Sequence, residues 1–80
     1  MDQKFKIAGM IAYLRHQYDN GAPMPMFLSM IAALEDGDVS EAFRFYKNDR
    51  DKFGHGDQEV QNTLEDFFQE FNLPMPWRKR

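Results

Sequence analysis

Apolar residues recur at steps of three and four in four stretches of the chain, and nowhere alternate over a strand's length. In the first stretch, Gln3 to Asp19, Ile7, Ile11, Leu14 and Tyr18 mark one helical stripe, and Phe5, Ala8 and Ala12 widen it. Asn20-Gly21 then offers a left-handed end, and Pro23 forbids continuation. The second stretch, Pro25 to Asp36, opens on a proline, which suits a first helical position because its missing N–H is not needed there. Phe27, Met30, Ile31 and Leu34 form its apolar face, and Gly37 closes it.

The third stretch begins Asp38-Val39-Ser40-Glu41, an acidic capping box in which Asp38 accepts from the Glu41 N–H and Glu41 reaches back. Val39, Phe43 and Tyr46 follow as its stripe, with Phe45 off it, and the helix ends between Asn48 and Asp51. The fourth stretch, Gln58 to Phe71, has Asp57 as its cap and Val60, Leu64, Phe67, Phe68 and Phe71 on one face. Asn72-Leu73-Pro74 ends it. The pattern predicts an all-α fold: a small irregular bundle of four helices with short loops, spanning 1–73, and an extended Pro/Trp/basic C-terminal tail, 74–80.

Composition narrows this. Eighty residues, 42% hydrophobic with eight Phe, allow one folded domain and little more. At that size only roughly 60–65% of the surface is buried, and such domains lean on a disulfide, a metal or a second copy. The absence of cysteine removes disulfides and thiolate metal sites. No run reaches the roughly 18–20 apolar residues of a membrane span, and Met1-Asp2-Gln3-Lys4 lacks the order of a secretion signal. The expectation is a soluble cytoplasmic protein without membrane contact.

Candidate chemistry is sparse. His16 lies beside Arg15 on the outer half of the first helix, and His55 sits between two glycines; no catalytic spacing links either to a nucleophile. The stretch Asp49 to Asp57 places acids at the first, third and ninth positions of a calcium loop and Gly54 at the sixth. Phe53 at the fifth and Val60 at the twelfth cannot supply the missing ligands, and Arg50 and Lys52 repel a cation. The reading is therefore of a non-enzymatic protein with no metal and no cofactor.

Residues 27–47 read as helix, tight turn, helix, with Ala33 four residues before Gly37. This resembles the helix-turn-helix motif, in which a small residue lets two helices cross and glycine makes the turn. The resemblance implies a DNA-binding regulator in which Arg44, Lys47, Arg50 and Lys52 meet phosphate. Asp36, Asp38 and Glu41 lie at the turn and the start of the reading helix, and the pI near 5.2 opposes approach to a polyanion.

The favoured reading is a module that binds another protein. Charge is unevenly placed: 57–70 holds five acids and no base, among them Glu65, Asp66 and Glu70, while 44–52 holds four bases against two acids. Such a split steers a partner. Methionines are numerous, and Met24, Met26 and Met75 adjoin prolines, where burial is not assured. Trp77 either folds back to cap the bundle, the favoured reading, or projects as an anchor. The predicted partner surface joins Met24, Met26, Met75 and Trp77, oriented by Glu65, Asp66 and Glu70. Self-association as a structural homodimer is a further alternative.

Overall fold

The structure, a computed structural model, describes residues 3–21, 24–54 and 57–77. Among these residues there are four α-helices and no strand: α1 (Gln3–Asn20), α2 (Pro25–Glu35), α3 (Val39–Asn48) and α4 (Gln58–Gln69), with a short 3-10 turn at Arg50–Lys52. The helix boundaries follow the sequence punctuation. Met24, in extended conformation, precedes Pro25 at the first helical position of α2.

The α2–α3 corner is the most tightly specified local structure. Gly37 adopts φ +77°, its N–H bonds the Leu34 carbonyl at 2.9 Å, and the Asp38 N–H bonds the Ala33 carbonyl at 2.9 Å. This is the paired hydrogen-bond pattern that ends a helix on a left-handed glycine. Asp38 then caps α3, accepting from the Glu41 N–H at 3.0 Å. The reciprocal half of the expected capping box does not form. The Asp38 N–H is already held by α2, so the Glu41 carboxylate turns to Arg44 instead.

Two other expected caps are corrected. Gly21 is not left-handed; its N–H continues to the Gln17 carbonyl at 2.9 Å. Asp57 precedes α4, but its carboxylate accepts from the Gly54 N–H at 3.2 Å and so braces the loop rather than the helix. Beyond α4, Asn72 takes φ +64°, a conformation asparagine tolerates, and the chain reverses there.

The core draws on every helix and on the tail: Met10 and Leu14 of α1, Phe27, Met30 and Leu34 of α2, Phe43 and Tyr46 of α3, Leu64 and Phe68 of α4, and Met75 beyond them. Each large side chain among them contributes about 1.5–3 kcal/mol by leaving water. Aromatic rings run through this core in series: Phe27 to Phe53 to Tyr46 to Phe68 to Phe43 to Trp77, with centroids 5.0–6.4 Å apart. The off-stripe Phe45 is half-buried, with Arg44 over its ring at 5.3 Å.

The molecule is a slab, 34 × 32 × 18 Å, so its thin dimension holds barely two helix diameters. α2 packs extensively on both α1 and α3, and α1 touches α4 only lightly. α1 is thus covered on one side. Phe5, Ala8 and Ala12, expected to widen its buried stripe, are exposed. Among the described residues no helix is long and apolar enough to cross a membrane.

Candidate functional site

Two places invite a functional reading: a buried carboxylate under the tail, and the outer face of α1 and α2. Glu65 follows Leu64 on α4, and the same turn that buries Leu64 carries Glu65 toward α3 and the tail. It is 3% exposed. Its Oε2 accepts from the Tyr46 hydroxyl at 2.7 Å, the Trp77 indole Nε1 at 2.8 Å and the Arg50 Nε at 3.0 Å. Arg50 also lies over the Trp77 ring at 4.6 Å. One oxygen therefore ties together α3, the 3-10 turn, α4 and the tail.

Burial raises the pKa of Tyr46 well above its ordinary value, and the hydrogen bond and charge of Glu65 push it the same way. The hydroxyl stays protonated and stays a donor. With three donors on one oxygen, the arrangement is a structural tie between the elements that supply them. Among the described residues no buried side-chain nitrogen or oxygen lacks a partner, and no group of three or more histidine, aspartate or glutamate side chains gathers as a metal site would require. His55 and Gly56 of the loop compared with a calcium site lie outside the described residues; within it, Asp49 pairs with Lys52 at 3.3 Å.

The residues expected to form a partner surface are divided by the fold. Met26 and Met75 are buried in the core, Met24 is half-buried against it, and Trp77 docks with its N–H on Glu65. Glu65, expected at the surface, is interior. Asp66 and Glu70 remain exposed. The physical reason is local. Pro25 starts a helix, so Met26 falls one turn before Met30 on the core face, and the reversal at Asn72 folds Met75 and Trp77 back over α3 and α4.

The four cations of the nucleic-acid alternative are each engaged within the chain. Arg44 chelates Glu41, which raises the guanidinium pKa and lowers that of the carboxyl through their hydrogen bonds. Lys47 lies over the Phe43 ring at 5.2 Å, Arg50 bonds Glu65 and Lys52 bonds Asp49. The α2–turn–α3 pair has the expected helix–turn–helix order, with Asp36, Asp38 and Glu41 around its turn.

Surface that the sequence reading did not single out lies on α1 and α2. The two large hydrophobic side chains that stand exposed among the described residues are Phe5, 79% accessible, and Leu28, 50%. Phe5, Ala8 and Ala12 fall within about 60° of one another around α1. Beside them an open groove of about 480 Å³ separates α1 from α2. Ile7, Ala8, Ile11 and Leu34 floor it, and Lys4, Glu35 and Asp36 stand at its rim. The signal was available: 7–14 is eight residues without a charge, and the apolar residues run round α1 instead of along one side. Comparison with protein-family models, with curated proteins and with solved structures returned no significant match.

Proposed function

We propose that this chain is a non-catalytic protein-binding module whose contact face is the outer side of α1 and α2. One observation carries the reading: both large exposed hydrophobic side chains, Phe5 and Leu28, and the open groove lined by Ile7, Ala8, Ile11 and Leu34 belong to the helix pair α1 and α2. A contiguous apolar patch rimmed by polar groups on a small domain is the usual mark of a contact surface. The groove is lined mainly by hydrocarbon, with the charged side chains of Lys4, Glu35 and Asp36 along it. The Met/Trp segment serves the fold, and the acidic residues Asp66 and Glu70 stand exposed on the α4 side of the molecule.

Photo-crosslinking tests this directly. A benzophenone side chain at Ala12 is expected to give adducts in extract of the source cells, while the same group at Asp66 gives few or none. Adducts from Asp66 with none from Ala12 remove this face from consideration.

A further inference from the structure

We infer that the seat of Trp77 is a recognition site for a linear segment of another protein, and that residues 73–77 fill it in cis. The segment recognised has prolines at alternate positions, apolar side chains between them and a tryptophan at its end. This site lies on α3, α4 and the 3-10 turn and does not depend on the α1–α2 face. The tail is held as a ligand is held. Leu73, Met75 and Trp77 pack on the core while Pro74 and Pro76 are exposed, so every second side chain is an anchor. The prolines fix their own φ and favour extended backbone at Leu73 and Met75, which lowers the entropy lost on docking. Among the described residues no backbone–backbone hydrogen bond joins 73–77 to the helices; the last is the Asn72 N–H on the Gln69 carbonyl at 2.9 Å. The tail therefore leaves without breaking a turn of helix, and Asn72, at φ +64°, marks the reversal from which it swings.

The seat reads tryptophan by three chemistries at once. The Trp77 ring lies 6.2 Å from the Phe43 ring, the Arg50 guanidinium stands 4.6 Å over it, and the indole Nε1 donates to the Glu65 Oε2 at 2.8 Å. Phenylalanine keeps the ring contacts and lacks the donor. The carboxylate also tolerates departure of the tail. With the indole gone, Oε2 still accepts from Tyr46 at 2.7 Å and Arg50 at 3.0 Å, so no buried charge is left unpaired. The occupant in trans is a segment of a different protein and not the tail of a second copy. A second copy offers only the same five residues, against an identical segment tethered at a roughly millimolar effective concentration. A different protein adds contacts beyond those five.

The probe is a capped peptide with the sequence of 72–77. Trp77→Ala in the full chain empties the seat and leaves the chain without tryptophan, so the peptide carries the only indole in solution. Its emission should move to shorter wavelength on titration, with a dissociation constant on the order of 100 µM. Adding Glu65→Gln should weaken binding about tenfold, because the indole N–H then meets an uncharged acceptor. A peptide with phenylalanine in place of the tryptophan should compete at least about tenfold more weakly. The isotope-labelled wild-type chain supplies a measurement that needs no substitution. The same peptide in excess over the roughly millimolar tether should move the Trp77 indole N–H resonance toward that of an exposed indole.

Peptide emission that stays unchanged up to roughly millimolar concentration overturns the inference. Binding that Glu65→Gln leaves intact overturns it as well, because the peptide then sits elsewhere on the chain. If either variant loses its helical circular dichroism, the wild-type resonance decides: displacement supports the site, and a resonance fixed at every peptide concentration removes it.

Discussion

Glu65→Ala is the substitution on which the account of the tail depends. It removes the acceptor of three hydrogen bonds at 2.7, 2.8 and 3.0 Å, leaving the Tyr46 hydroxyl, the Trp77 indole and the Arg50 guanidinium without their common partner. A buried donor that loses a charged acceptor costs about 1–3 kcal/mol, and breaking a buried ion pair from one side costs about 3–5 kcal/mol. These figures overlap and do not add. The Arg50 side chain is 34% exposed and recovers part of its hydration, which discounts the ionic share. The expected loss is about 3–4 kcal/mol, against a total of roughly 4–12 kcal/mol for a domain of this length. In urea the midpoint should fall by roughly 2–4 M.

The chain holds a single tryptophan, so its fluorescence reports this contact alone. Glu65→Ala should shift Trp77 emission to longer wavelength under conditions where circular dichroism still shows a folded bundle. Glu65→Gln keeps an acceptor but loses the charge and should fall between, at about 1–2 kcal/mol. A loss below about 1 kcal/mol for Glu65→Ala, or unchanged Trp77 emission, would refute the assignment of Glu65 as the tie between the tail and the bundle.

Two further outcomes follow from the geometry. The raised pKa of Tyr46 means the folded chain holds a proton that the unfolded chain releases above pH 10, so this stabilisation is full below that value and declines as pH rises past it. Tyr46→Phe should cost about 1 kcal/mol at neutral pH, and the gap to wild type in urea titrations should narrow above pH 10; a constant gap into stronger alkali contradicts this. Gly37→Ala should lower stability by about 1–2 kcal/mol, because φ +77° is strained for any side chain while no atom lies within 4 Å of the added Cβ. Gly37→Asn should cost less than Gly37→Ala in thermal melts, and the reverse order would contradict a conformational cause.

The helices were legible because their ends are written locally. Pro25, Gly37, Asp38 and the reversal after Phe71 each act within a few residues, and the core stripes of α3 and α4 are strongly one-sided. Glu65 was not legible. It sits in a run of acids that reads as a solvated face, and its partners come from 12, 15 and 19 residues away. Only the packing of α3 against α4 brings them together. Met26 was misread for a different reason: the neighbouring prolines suggested a loop, although its spacing of four from Met30 already placed it on the stripe of α2. In α1 the periodic signal is ambiguous in principle. When apolar residues run round a helix, period alone cannot say which side meets the core, and α2 settled it in favour of Met10 and Leu14.

The size of the molecule links these findings. Its accessible surface is 5239 Å², close to the roughly 5000 Å² that scaling predicts for 9.5 kDa, so the chain does not expose more surface than its mass requires. What is unusual is where the apolar part lies. α3, α4 and the tail spend their charged side chains on one another, with Arg50, Lys52, Arg44 and Glu65 all engaged within that half. The other half carries no charge across 7–14 or 21–34, and its charged side chains stand outside those stretches, with Arg15 paired to Glu35 at 2.7 Å. A two-layer slab of four helices can bury both sides of α2 or both sides of α1, and here α2 takes the central place between α1 and α3. The uncovered side of α1 follows from that choice.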